Sequence, residues 1–396
     1  MKPPRLLVAP LVALVSMASA CGGAKSSESS FQSAAPSYEA LAMDLTSSDA
    51  TAEELTTGTA ASALTVSSGG EAALMRHPIF DVPCHPHLFY RSHEVVQRVN
   101  RHLRHFLRHL DFITLRDPDS ATDDTRVWER IANGIDAKFT MTQQSETVYT
   151  WTLEMKKVDD EEFVTVLSGQ IDRAGAEGPH QGTGDVTLDL TKLAGVTGAG
   201  FQGVLTSHFE VFTGKRLVVF DAQDVVWDAD ENTRNLGTPR DAHYVYYREP
   251  GKGGSLKIEE QMVFLCPAST YLAPADVKLV SRWYRTESGA VNGRSDAEMT
   301  GGQLDTGNKI VGLTCHQGSA DGADQAEHAW LMKLEDASGA TVAGGMRDSN
   351  GDPAVTCDPA LNPPDGLVPS LDDNLTDFDM TGIVFTDSEP YPFPNM

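Results

Sequence analysis

What most constrains this chain is a series of ten short runs in which apolar and polar residues take turns. In "TVYTWTLEM" the residues Tyr149, Trp151, Leu153 and Met155 alternate with Thr150, Thr152 and Glu154. A period of two fits a strand with one wet face and cannot form one stripe of a helix. The same pattern recurs in "EFVTVLSGQID", "GDVTLDL", "GVLTSHFEVF", "KRLVVFDA", "AHYVYYRE", "SLKIEEQMVFL", "DVKLVSRWYR", "KIVGLTC" and "EHAWLMKLE". Thr213-Gly214-Lys215, Pro250-Gly251-Lys252-Gly253-Gly254 and Ser338-Gly339 supply hairpin-like turns between runs. The expected fold is mainly β: a curled or half-barrel antiparallel sheet of roughly ten strands, with one N-terminal amphipathic helix packed on it.

That helix is read in "RSHEVVQRVNRHLRHFLRHLD", residues 91–111. Ser92 is a suitable N-cap, and Val95, Val96, Val99, Leu103, Phe106, Leu107 and Leu110 recur at helical spacing over about 120° of arc. The same stretch gathers four histidines and five arginines in a chain whose formal charge is −25. His102, His105 and His109 fall on one flank of the polar face, where His105 and His109, four apart, could share a metal ion with His102 as third ligand. His85 and His87 beside Cys84 could add to it. Arg98 on that flank opposes a cation, and no carboxylate of the helix lies there to orient an imidazole. Arg101, Arg104 and Arg108 line the other flank, suited to anionic lipid headgroups or an acidic surface polymer. The reading that composition favours is charge compensation, with a pH-sensitive component from the histidines.

The chain opens "MKPPRLLVAPLVALVSMASACGG", with cations ahead of an apolar run about half the roughly 20 residues needed to cross a bilayer. Residues 1–20 read as an export signal. Ala18-Ser19-Ala20-Cys21 resembles the bacterial lipobox, which implies a lipid anchor on Cys21; Gly22 in second place implies sorting to the outer membrane. Plain cleavage after Ala20 is the alternative. Four other cysteines remain in an exported chain, so two disulfides are expected; nearness along the chain favours Cys315 with Cys357 and leaves Cys84 with Cys266. Residues 21–75, rich in Ser, Ala, Thr and Glu, read as a lipidated flexible tether with a transient helix near Tyr38 to Leu45. Residues 76–357 form the β-rich body, and 358–396 an acidic, proline-rich tail, at most partly docked.

An exported chain in which one amphipathic helix precedes many antiparallel strands resembles the periplasmic lipoprotein-carrier family. Over about residues 92–265 that resemblance implies a half-barrel around a greasy cavity. "SRWYRTESGAVNGRSDAEMTGGQL", Cys315 and "DSNGDPAVTC", with the Cys-Gly-Gly start, are similar to segments of outer-membrane lipoproteins of myxobacteria.

The 56 Asp and Glu against 31 Lys and Arg argue against nucleic acid as a partner. "DADEN" and "DSNGD" invite calcium as a cofactor, but Thr233 and Pro353 stand where an EF-hand needs glycine, and Pro239 and Pro359 where it needs glutamate. Turn-forming Asp and Asn account for both without an ion. No nucleophile elbow, zinc-protease motif or phosphate loop is present. Asp189, Glu210 and Glu260 on strand faces are the carboxylates that a glycosidase pair could use. Trp151, Trp227, Trp283 and Trp330 read as core, or as the lining of a sugar or lipid groove. The expected function is a non-catalytic envelope lipoprotein whose β domain binds a ligand or partner, with an amphiphile as the ligand that the half-barrel implies. A polysaccharide hydrolase and a structural envelope protein with no pocket are the alternatives; whether the protein faces the periplasm or the outside stays open.

Overall fold

The computed structural model describes residues 25–45, 88–114, 116–226, 239–262, 275–285, 291–302, 304–318, 325–348, 380 and 383–390. Fifteen strands form one open antiparallel sheet whose spatial order is the order of the chain. They are β1 (Ser120–Ala121), β2 (Thr125–Ala132), β3 (Ile135–Gln143), β4 (Val148–Lys157), β5 (Val164–Asp172), β6 (Gly182–Asp189), β7 (Gln202–Phe212), β8 (Lys215–Val226), β9 (Arg240–Glu249), β10 (Gly253–Met262), β11 (Ala275–Arg285), β12 (Val291–Gly301), β13 (Lys309–Gly318), β14 (Gln325–Glu335) and β15 (Thr341–Asp348). The helices among the described residues are α1 (Lys25–Ala34), α2 (Tyr38–Leu41), α3 (Leu88–Thr114) and α4 (Leu190–Thr197). None is long and apolar enough to cross a membrane.

The fold is thus mainly β, as the alternation predicts, but with fifteen strands instead of ten. β1, β2, β3, β12 and β15 are the additions. β2 and β3 meet through Asn133 (φ 53°) and Gly134 (φ 77°), the left-handed pair of a two-residue hairpin. β12 escapes an apolar reading because Asn292, Arg294 and Asp296 on one of its faces are polar and yet buried.

One face of the sheet, hereafter the inner face, carries Trp128, Phe139, Trp151, Phe209, Tyr246, Trp283 and Trp330, which join α1, α2 and α3 in a single apolar cluster. The tryptophans described are therefore core. At β10–β14 the outer face is buried too, with Val280, Leu313 and Leu331 at 0–1% exposure. There Asp296 accepts from Arg294 Nε at 2.7 Å and lies 3.7 Å from Arg282. Arg282 and Arg294 are directly opposite each other across β11 and β12, so the Asp296 carboxylate relieves a like-charge pair in the interior.

Three inner-face rings lie across a glycine on the neighbouring strand: Trp151 opposite Gly169, Phe209 opposite Gly184, and Trp283 opposite Gly254. A Cβ at Gly169 would stand 2.3 Å from the Asp185 carbonyl oxygen and 2.7 Å from the Trp151 indole nitrogen, so only glycine admits the ring. Register shifts interrupt five strand pairs, at Leu153/Glu154, Gln202/Val204, Ala222/Val225, Cys315/His316 and Leu334/Glu335. Such irregularities bend strands and deepen twist.

Candidate functional site

The inner face is the candidate site, and what lies on it departs most from the sequence reading. Residues 25–45, expected as tether, are part of the core: Phe31, Ala34, Leu41, Met43 and Leu45 are at most 1% exposed. Compositional averaging hides them, because a few large apolar side chains suffice to dock a short segment otherwise made of Ser, Ala and Glu. Ser37 caps α2, its hydroxyl accepting from the Ala40 amide at 3.2 Å, so the expected helix near Tyr38 is present, ending at Leu41.

Side chains of the body grip the backbone of this segment from Ala35 to Asp44. His180 Nδ1 meets the Ala35 carbonyl at 3.0 Å, and Arg216 donates to the Ala42 carbonyl at 3.0 Å. Asn100 of α3 treats Met43 as a strand would: its amide donates to the Met43 carbonyl at 2.6 Å and its Oδ1 accepts the Met43 N–H at 3.0 Å. Tyr246 donates to the Asp44 carbonyl at 2.7 Å, and Arg248 pairs with the Asp44 carboxylate at 2.8 Å. At the other end Phe31 sits edge-on to Tyr149, with the Arg126 guanidinium 4.5 Å from its ring centre. These contacts satisfy backbone groups that burial would otherwise orphan.

α3 closes the remainder. Ser92, expected as an N-cap, lies inside the helix and donates to the Leu88 carbonyl at 3.1 Å. With its proton so committed, it accepts from Ser281 at 2.5 Å, and Ser281 accepts from Ser295 at 2.6 Å. This buried hydroxyl chain ties the start of α3 to β11 and β12. Arg98, expected on a wet flank, turns inward and donates to both oxygens of Glu260 at 2.6 and 2.7 Å, while Tyr244 donates to the same carboxylate. Burial works against the Arg98 charge, yet Glu260 and Tyr244 hold its pKa above the ordinary value. Burial, then Glu260, pushes the Tyr244 phenol up, so it stays a neutral donor. Burial also drives His93 down to about 4, Asp44 acting the other way.

The other sequence candidates separate. Arg101 is exposed, while Arg104 turns onto the Tyr38 ring, its guanidinium 4.8 Å from the centroid, and so leaves the cationic strip. The side chains of His102, His105, Arg108 and His109 lie outside those described, and among the described residues no cluster of His, Cys, Asp and Glu could hold a metal ion. Asp189 caps α4, accepting from the Lys192 amide at 2.9 Å. Glu210 binds Lys215 at 2.6 Å on the outer face, and Glu260 is held by Arg98 on the inner one. No two of the three share a cleft as a glycosidase needs. Cys315 is buried on β13, and Cys21, Cys84, Cys266 and Cys357 lie outside the described residues. Of the calcium stretches only Asp348 falls within a described element, at the end of β15. Within the expected tail, residues 383–390 touch the outer face: Lys257 donates to the Val384 carbonyl at 2.8 Å, and His243 Nε2 meets the Asp387 carbonyl at 3.0 Å.

Sequence reasoning missed the gripping residues. Their signal was present in "HYVYYRE", where Tyr244, Tyr246 and Arg248 share the inner face with polar ends that a purely apolar core would not need. No protein-family model, curated protein or solved structure matches the chain.

Proposed function

We propose that this is a non-catalytic envelope lipoprotein, anchored through Cys21 to the outer membrane after loss of residues 1–20, whose sheet is curled into a half-barrel that binds an amphipathic chain. The observation that carries the reading is the segment 25–45, which the inner face holds as a receptor holds a ligand, with apolar side chains buried and main-chain carbonyls gripped. Curling is supported by the devices that bend strands. The glycine–aromatic pairs and register shifts supply the bends.

The hydrolase reading loses ground because its three carboxylates are each committed elsewhere. A neutral apolar reporter, N-phenyl-1-naphthylamine, tests binding. Saturable fluorescence is expected with the full chain, tightening about tenfold when Asp44→Ala loosens the segment, since a resident competitor is then weakened. No uptake by either protein would leave the structural reading in its place.

A further inference from the structure

Arg240 opens β9 on the inner face, two residues before Ala242 and four before Tyr244. Its Nη1 donates to the Gln261 carbonyl at 3.3 Å. Its Nε and Nη2 are buried and have no hydrogen-bond partner. Those two nitrogens form one edge of the guanidinium, the edge that presents a parallel pair of N–H groups to a carboxylate or phosphate. The nearby carboxylate does not use that edge. Glu260 sits opposite Ala242 in register, but both of its oxygens are taken by Arg98 and one also by Tyr244. Among the described residues two guanidiniums thus stand against one carboxylate, leaving one positive charge in excess there. Burial lowers the Arg240 pKa and Glu260 offsets only part of that shift, so the cation is held at a cost that the described groups do not fully offset. A charged donor pair left unmet in a protein interior calls for an explanation. Arg240 as a whole is only half-buried, so the side chain reaches solvent even though its Nε/Nη2 edge is covered.

We infer that the Nε/Nη2 edge of Arg240, backed by the Arg98–Glu260–Tyr244 cluster, is the receptor for an oxyanion, a carboxylate or a phosphate, at one end of the inner face. The inference deepens the binding reading above and rests on it for the source of the anion: beside an apolar surface, the group is the head of an amphiphile whose chain runs along the face. Arg98 and Tyr244 are positioning residues, since they keep Glu260 from closing on Arg240.

The test uses the full chain and defined probes: decyl phosphate, decanoate, uncharged decyl maltoside and inorganic phosphate, with displacement of N-phenyl-1-naphthylamine and thermal midpoint as readouts. Decyl phosphate and decanoate are expected to bind about tenfold or more tighter than decyl maltoside, because a charged hydrogen-bonded pair contributes that much. Arg240→Gln should erase the difference, and Arg240→Lys, which keeps the charge without the fork, should remove most of it. If all three amphiphiles bind alike to wild type and variants, the anion site is overturned while the binding face survives. If no amphiphile binds but inorganic phosphate raises the midpoint of wild type and not of Arg240→Gln, the oxyanion site stands, its source is a free anion, and the amphiphile reading falls. Failure of every anionic probe to bind wild type overturns the site whatever the variants do.

Discussion

At the scale of residues, the inner face is governed by a few charges that have left water. Arg98 and Glu260 illustrate how removing one partner differs from removing both. Arg98→Met leaves a carboxylate that is 5% exposed with Tyr244 and the nearby Arg240 to answer it, and should cost about 3 kcal/mol by urea unfolding, the low end for a broken buried pair. Arg98→Met combined with Glu260→Leu should recover part of that loss, because two apolar groups need no counter-charge while the Tyr244 hydroxyl loses its acceptor and Arg240 its offsetting carboxylate. A double variant as unstable as the single one would mean that the pair stabilises in its own right. His93 makes the second prediction. Its folded pKa of about 4 lies below the ordinary 6.5, so the unfolded chain takes up the proton first. Its contribution is intact above pH 6.5 and is lost as pH falls toward 4. Wild type should lose more stability between those limits than His93→Phe, which has no proton to gain. Equal losses would show that the imidazole titrates alike in both states.

The elements show why some of this was legible and some was not. The alternation of "TVYTWTLEM" survives translation into structure almost residue for residue: Tyr149, Trp151 and Leu153 face the core, and β4 begins at Val148. Alternation fails for β12, whose outer row is polar because Arg294 and Asp296, with Arg282 of β11, neutralise one another inside. The stripe of α3 was readable from spacing, but the partner of Arg98 lies 162 residues away, beyond any local pattern. Residues 25–45 were illegible for the reason given above, that composition averages over the few side chains that bind. The glycine–aromatic pairs give the prediction at this scale. Gly169→Ala would push a methyl group into the Asp185 carbonyl and the Trp151 ring, and should destabilise by about 1–3 kcal/mol in urea, as overpacking does. Gly134→Ala probes a different cost: nothing lies within 4 Å of a Cβ there, so only its positive φ resists. A Gly169→Ala protein as stable as wild type would mean that the ring does not need the gap.

For the whole molecule, a formal charge of −25 works against compaction. Between about 0.02 and about 0.3 M NaCl the thermal midpoint should rise by a few degrees, since salt screens repulsion among exposed carboxylates and leaves the buried pairs almost untouched. A midpoint that falls with salt would assign the stability to surface ion pairs instead. The sequential order of the sheet has a consequence in time. Every strand meets only its chain neighbours, whereas Ser92 of α3 waits for Ser281, 189 residues later. At the usual pace of synthesis that interval is roughly 10 to 40 seconds. For that long the growing chain carries a finished apolar stripe with no lid, so newborn molecules should depend on a holding chaperone far more than the mature fold does.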